Sequence, residues 1–338
     1  MARKALIALV AIILVVGVSM AHAGEMGKIY KLKRLTSELY ERRTHNKAKN
    51  YLANYGTEVT PFVLPLLKDR SNERVRIAAL YIIGKVADTS AEDEVIVALK
   101  DPDHRVRQEA AKALTSMGSQ KAVEPLKGLL NDYYPNVRFN ALRALSSIAP
   151  EGEENFFISV LNDYDPRIRL FAIKALGELR SKKAVPYLAQ MVGDPDPAVR
   201  MELAVAMGQI GTDDCLQPLT WLVGDPDTNV RIIAVESLGT LKTKAADDSL
   251  VQAANSSDPR IASRAIRALT ERKSPQALAV AKEHLDDEHL AVKLASIDAV
   301  GQLGGSKEEA VLEPLLTAES TKVRRTAEEA LKEVNEGR

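Results

Sequence analysis

A short motif returns every 31 residues along most of this chain. Its clearest copy is Asp194-Pro195-Asp196-Pro197-Ala198-Val199-Arg200, and the final arginine serves here as a marker. Steps of 31 residues place the marker nine times without an insertion, at Arg76, Arg107, Arg138, Arg169, Arg200, Arg231, Ala262, Lys293 and Arg324. The residue before each marker is always Val or Ile. A fixed period of this length predicts an array of stacked repeats.

Each unit predicts a pair of helices. Asp196 can cap a helix that begins at Pro197, where a missing N–H costs nothing, and that runs to about Ile210. Apolar or small residues lie 3, 4, 6, 7 and 10 positions after the marker, which is a helical spacing. The other helix has apolar residues at plus 19, 22 and 23, and small residues at plus 6 predict close approach between neighbouring repeats. Because one pair cannot bury its apolar face alone, the predicted fold is all-α, a right-handed α-solenoid.

The Asp-Pro-x-x-x-Val-Arg turn followed by Ala-x-x-Ala-Leu resembles HEAT repeats. The short unit is most similar to the HEAT-like repeats of the phycobilisome lyase type, and the resemblance covers Leu52 to the C-terminus. It implies that the second helix of each pair, which carries the marker, lines a concave surface. The family includes scaffolds, adaptors and a few enzymes, so the resemblance is specific for the fold and says little about function.

The resemblance also implies a ladder of charges between repeats. Its members would be Asp101, Asp132, Asp163, Asp194 and Asp225 with Arg107, Arg138, Arg169, Arg200 and Arg231. A binding stripe is the alternative interpretation. We favour the structural one, because charges that recur at every repeat usually belong to the scaffold.

Residues 1–23 form a segment of a different kind. A basic start at Arg3 and Lys4 precedes an apolar run to Met20 and the small-x-small site Ala21-His22-Ala23. This layout predicts a secretory signal peptide that is cleaved after Ala23, and hence a periplasmic or secreted protein. The alternative is an uncleaved anchor in the inner membrane, although the run is somewhat short for a span of about 20 residues.

Two further segments complete the predicted organisation. Residues 24–44 form an N-terminal capping helix, predicted over Lys28 to Arg43, with an apolar face and a basic face that is either solvated or in contact with anionic lipid. Residues 45–338 form one continuous solenoid of about nine to ten repeats, the last of which is a polar cap.

The repeat around Ala262 lacks both the ladder arginine and the turn aspartate, and Arg272 occupies an apolar position there. This predicts a weak joint, with faster hydrogen exchange over Ala245–Arg272 than over Val137–Leu241.

Composition and motifs argue against several activities. Without Arg3 and Lys4, 44 basic residues face 46 acidic ones, which does not suit a nucleic-acid or polybasic membrane-surface protein. Cys215 is the only cysteine and is interpreted as a small core residue. The two irons of the HEAT-like deoxyhypusine hydroxylases are held by His-Glu pairs, and this sequence has no His-Glu dipeptide. We therefore predict no enzyme, catalytic residue, metal or cofactor. The predicted function is a scaffold or adaptor of the bacterial cell envelope, and the alternative is a HEAT-like enzyme or ligand-binding protein whose site the sequence does not reveal.

A candidate partner-binding strip lies on the marker helices. Positions plus 2, 5 and 9 point away from the apolar core, and most repeats place polar residues there. Three consecutive repeats instead place apolar residues, with basic residues on both sides. The predicted strip consists of Phe171, Val205 and Ile233, with Lys174, Arg143, Arg264 and Arg267 as its rim. An apolar strip with a basic rim suits a protein or peptide with acidic flanks. The alternative is that Arg and Lys stems cover the strip and nothing binds.

Overall fold

A computed structural model describes residues 24–148 and 154–336. The predicted signal segment, residues 1–23, lies outside these ranges. The described residues form helices joined by short turns and contain no strand. They belong to two compact units, residues 1–152 (unit 1) and residues 153–338 (unit 2). Each unit is built of stacked helix pairs, and the predicted all-α solenoid is confirmed.

Unit 1 contains eight described helices, α1 to α8. They span 24–38, His45–Leu52, Thr60–Val63, Glu73–Val86, Glu92–Ala98, His104–Met117, Val123–Gly128 and Pro135–Ile148. Unit 2 contains twelve described helices, α9 to α20. They span Glu154–Ser159, Pro166–Glu178, Val185–Leu188, Pro197–Ile210, Leu216–Val223, Thr228–Thr240, Ala245–Ala254, Pro259–Glu271, Ala277–Glu283, Leu290–Leu303, Glu309–Leu312 and Thr321–Glu336. Short 3-10 turns accompany many of the shorter helices.

The longer helix of each pair carries the marker. Within a unit these marker helices, from α4 to α20 in even numbers, pack directly on one another, and the shorter helices pack beside them. Helix α12 begins as predicted, because the Asp196 carboxylate accepts a hydrogen bond from the Ala198 N–H. Its predicted core residues are all buried, namely Leu203, Ala204, Ala206, Met207 and Ile210.

The predicted ladder is present within both units. In each full contact the guanidinium Nε and Nη2 donate to both carboxylate oxygens of the aspartate 25 residues later, in the turn of the next repeat. The pairs are Arg76–Asp101 (2.8 and 2.9 Å), Arg107–Asp132 (2.7 and 2.9 Å), Arg169–Asp194 (2.7 and 2.7 Å) and Arg200–Asp225 (2.6 and 2.8 Å). The third nitrogen, Nη1, donates to a backbone carbonyl of its own turn, as Arg138 does to Asp132 (2.9 Å). Each rung therefore joins one repeat to the next through charge-assisted, bidentate hydrogen bonds.

A second device holds neighbouring marker helices close together. Glycines at plus 8 lie against the small residues that the sequence places at plus 6 of the next marker helix. A Cβ built on Gly84 would lie 2.8 Å from the Ala113 Cα, and one on Gly301 would lie 2.7 Å from the Ala330 Cα. Since real Cβ atoms essentially never approach so closely, these glycines set the spacing between the helices.

The predicted weak joint has a contact that sequence reasoning missed. Ser256 stands where most other repeats have the turn aspartate, so Arg231 has no bidentate partner there. Its Nη2 instead makes a single contact with the Asp258 carboxylate, at 3.2 Å. In the next repeat, however, Arg272 turns back toward the preceding one. Its Nε donates to the buried Asp247 carboxylate (2.7 Å), its Nη2 donates to the Thr243 carbonyl (2.9 Å), and its Nη1 donates to the Leu241 carbonyl. The missing rung is therefore replaced at this interface by a displaced rung from Arg272, and the expected faster hydrogen exchange over Ala245–Arg272 stays a prediction.

We expect the displaced rung to decide how this interface opens. Replacing Arg272 with methionine leaves Asp247 buried without its cationic partner, so amide exchange over Ala245–Arg272 should accelerate by roughly tenfold or more. Hydrogen-exchange mass spectrometry of the two proteins provides the measurement. Lys273→Met is the matched control, because Lys273 is the exposed neighbour. Equal acceleration in both variants would show that the Arg272 contact does not hold the joint.

The N-terminal helix ends earlier than the sequence predicts. Helix α1 ends at residue 38 rather than at Arg43, and the Thr44 hydroxyl donates to the Glu38 carbonyl in the turn that follows. Leu32 and Leu35 are buried against unit 1, and the Lys and Arg residues between them are exposed. No helix in the described ranges is both long and apolar enough to cross a bilayer.

Candidate protein-binding groove

A groove in unit 2 contains part of the predicted strip. It lies along the marker helices α12 and α14 and the turns that follow α10, α12 and α14, and it has a volume of about 660 Å³. Val205 from α12 and Ile233 from α14 both line it, and both are half-buried. An open groove of this size with two neighbouring apolar side chains can accept a few residues of a bound segment.

The floor of the groove depends on a close approach of two helices. Gly208 lines the groove, and a Cβ at this position would lie 2.9 Å from the Ser237 Cβ. The Thr240 hydroxyl donates to the Gly208 carbonyl (3.1 Å) across the same contact. The missing side chain therefore lets α12 and α14 approach closely, and the Thr240 contact joins the two helices that carry Val205 and Ile233.

The basic residues of the groove come from the turns that follow the marker helices. Arg180, Lys182 and Lys242 line it, and all three are exposed. Within residues 154–336 no carboxylate lies within 4 Å of their charged nitrogens. Helix C-termini carry partial negative charge, which favours cations there. These three cations make this side of the groove basic, although the Glu236 carboxylate, which pairs with Arg264, also lines the groove.

Arg180 holds an unfavourable backbone conformation. Its φ is +50°, in the left-handed region, at the plus 11 position where Gly118 and Gly211 have φ values of +65° and +67°. A residue with a Cβ costs roughly 1 kcal/mol there relative to glycine. Lys273 occupies the same position with a φ of +51° but does not line the groove. The two residues therefore share one backbone strain and differ in their surroundings.

The predicted rim residues and Phe171 do not line the groove. Arg264 forms an ion pair with Glu236, and Lys174 lies 3.9 Å from Glu178. Arg267 is exposed on α16, and Phe171 is half-buried on α10; neither lines the groove. Arg143 is exposed on α8 in unit 1.

The face of the marker helices that carries the predicted strip also contains acidic residues, so its charge is less uniformly basic than the sequence suggested. Burial raises the pKa of Glu202 above its ordinary value, Lys174 opposes this, and the neighbouring Glu178 adds to it. Burial likewise raises the pKa of Asp298 against the opposing effect of Arg267. The basic side of the groove thus depends on Arg180, Lys182 and Lys242. Sequence reasoning missed them because it considered only helix positions, whereas the turn after each marker helix was the place to look.

The remaining polar clusters of the described residues do not form a metal site. Among the described residues no group of three or more His, Cys, Asp and Glu side chains has a suitable arrangement. His284 and His289 both approach Asp287, with Nδ1 to carboxylate distances of 3.5 and 3.2 Å. Cys215 is buried, as its interpretation as a core residue requires.

Comparison with known proteins identifies the class. HEAT repeats match residues 60–146, 127–204, 154–239, 190–261 and 248–332. The chain belongs to the HEAT repeat family. A crystal structure of an engineered protein, a structural-genomics target, is similar in fold, with 19% identity and a TM-score of 0.52 over 90% of this chain and 98% of that one. No curated protein matches the chain.

Proposed function

We propose that this chain is a non-enzymatic protein-interaction scaffold that binds a partner in the unit 2 groove. The observation that carries the proposal is the juxtaposition of Val205 and Ile233 with three cations that lack ion-pair partners among the described residues of unit 2. The HEAT repeat family supports it in general terms, because repeat arrays offer extended binding surfaces. The predicted signal segment further suggests action in the cell envelope, outside the inner membrane.

The groove favours one kind of partner segment. Two apolar side chains of a peptide or helix would pack on Val205 and Ile233, and carboxylates beside them would reach Arg180, Lys182 or Lys242. Apolar contacts provide most of the affinity at such a site, and the charges speed association and select the partner. The acidic flanks expected from the sequence are thus retained, with a different set of basic residues opposite them.

We expect Arg180→Gly to separate binding from stability. Glycine relieves the left-handed backbone, so the free energy of unfolding should stay the same or rise by up to about 1 kcal/mol. Affinity for the partner should fall by roughly tenfold, because a cation facing a carboxylate is lost. The measurements are chemical denaturation and titration with a partner captured from the native host.

Lys273→Gly is the matched control for this experiment. It relieves the same strain outside the groove and should leave affinity unchanged. The double change of Val205 and Ile233 to serine tests the apolar part of the groove and should abolish capture in a protein that remains folded. A partner that binds the Arg180→Gly protein and this double variant as tightly as the original would exclude this groove as the binding site.

A further inference from the structure

The N-terminal end of unit 1 carries a strong local charge that the neutral total conceals. Residues 24–55 contain eight Lys and Arg residues but only three Glu, and they include four of the nine tyrosines. Helices α1 and α2 supply most of these side chains, and α2 packs on α4. The near-neutral net charge of the whole chain therefore does not describe this surface.

Lysines and tyrosines are paired here in space. Three tyrosine rings have lysine ammonium groups within 6.0 Å of their centroids, close enough for cation–π attraction. The distances are 5.4 Å for Lys31 and Tyr55, 6.0 Å for Lys47 and Tyr51, 4.7 Å for Lys49 and Tyr81, and 5.8 Å for Lys85 and Tyr81. We call these seven residues the lysine–tyrosine surface.

A pocket lies beside the most crowded of these rings. It has a volume of about 450 Å³ and is lined by Asn50, Ala53, Asn54, Tyr81 and Lys85. Lys49 approaches the same Tyr81 ring. Two amides, a phenol and an ammonium group provide hydrogen-bond donors, and no carboxylate lines the pocket. Its chemistry suits an anion with several acceptor oxygens.

The four lysines of this surface have no counter-ion among the described residues of unit 1. Within residues 24–148, no carboxylate lies within 4 Å of the Lys31, Lys47, Lys49 or Lys85 ammonium group. Some other lysines of unit 1 are paired, such as Lys112 with Glu109 (3.0 Å) and Lys121 with Glu92 (3.1 Å). Because Lys49 and Lys85 share one ring, their charges repel each other, and a bound anion would relieve that repulsion.

We propose that the lysine–tyrosine surface binds anionic phospholipid, with a headgroup phosphate in the pocket. Tyrosine is enriched at membrane–water interfaces, where its ring is partly apolar and its hydroxyl stays hydrated. Among the tyrosines of this surface, Tyr51 suits that position best, since it is 51% exposed. The apolar run of residues 5–20 precedes this surface in the chain and, if it is retained as an anchor, holds the surface against the bilayer.

Local hydrogen exchange of the full chain, compared between two kinds of vesicle, tests the proposal, because any insertion of residues 5–20 is common to both. We expect vesicles of phosphatidylglycerol to slow exchange in residues 24–55 and around Tyr81 more than vesicles of phosphatidylcholine alone do. In the double variant Lys49→Gln and Lys85→Gln, the vesicle concentration for half-maximal protection should rise roughly 30-fold, since each lysine near an anionic surface contributes about 1 kcal/mol. Lys112→Gln with Lys121→Gln, two lysines already paired with carboxylates, should behave like the original protein.

Three outcomes would overturn the proposal. Equal protection by both kinds of vesicle would mean that charge has no role. Unchanged protection in the Lys49 and Lys85 variant would place the lipid contact elsewhere. Inorganic phosphate that protects the pocket, with no effect of phosphatidylglycerol vesicles, would make the ligand a soluble anion rather than a membrane.

Discussion

Replacing Arg200 with alanine is expected to destabilise the folded chain by about 3–5 kcal/mol. The Arg200 guanidinium holds the Asp225 carboxylate through two hydrogen bonds of 2.6 and 2.8 Å, and it also donates to the Asp194 carbonyl. Both side chains are buried, so the substitution leaves Asp225 without its cationic partner in a poorly hydrated place. Trp221 is the only tryptophan and lies in α13, between these two residues in the chain, so its fluorescence during urea unfolding reports on this region.

Two controls make the ladder experiment specific. Arg325→Ala removes an ion pair whose side chains are 78% and 62% exposed, and it should cost less than about 1 kcal/mol. Adding Asp225→Asn to the Arg200→Ala protein should recover part of the loss, because the unpaired charge is removed. A double variant in which the two losses simply add would contradict the account of the ladder.

Acid titration gives a further measure of the same contact. Burial alone would raise the pKa of Asp225, but hydrogen bonds from Arg200 and from the Asp227 N–H lower it below its ordinary value. A lowered folded-state pKa stabilises the protein above the unfolded-state pKa, near 4, and this contribution is lost as the pH falls through the folded-state pKa. The stability difference between the original protein and Arg200→Ala should therefore shrink below about pH 4.

Two glycine substitutions in unit 1 are expected to have opposite effects. Gly84→Ala places a Cβ 2.8 Å from the Ala113 Cα on the next marker helix, and the two backbones must move apart. Overpacking of this kind costs about 1–3 kcal/mol, which exceeds the gain in helix propensity. Gly128→Ala, at the end of α7, has no atom within 4 Å of the new Cβ and should stabilise the protein by about 0.5–1 kcal/mol.

Chemical denaturation of the two variants measures these effects. Both proteins gain the same methyl group in a helix, so they differ only in what that group meets. If Gly84→Ala were as stable as Gly128→Ala, the spacing between α4 and α6 would not depend on the glycine.

The repeat pattern was enough to predict the helices and the core positions, and the resemblance to HEAT repeats implied the ladder. Each depends on local spacing: Asp196 caps the helix after it, and Arg200 reaches the turn of the next repeat because the period is constant. Where the period holds but the residues change, the same reasoning fails. The sequence places Arg272 at a position that is apolar in other repeats, which suggested a weakened core. Only the direction of its side chain in the structure shows that it reaches back to Asp247.

The groove was predictable only in part for a related reason. Val205 and Ile233 stand out as apolar residues on a polar face, so their helical positions point to them directly. The basic residues opposite them lie in turns, whose side-chain directions follow from backbone angles that periodicity does not specify. The ion pair between Arg264 and Glu236, which joins two neighbouring helices, likewise requires the packed structure.

Photo-crosslinking in the native host tests the central claim most directly. A photoreactive amino acid at Gln209, which is exposed and lines the groove, is compared with one at Gln302, which is exposed at the same plus 9 position outside it. The account predicts a discrete crosslinked partner from Gln209 that is absent from Gln302 and lost when Arg180→Gly is added. The same partner from both positions, or from Gln302 alone, would contradict binding in the unit 2 groove.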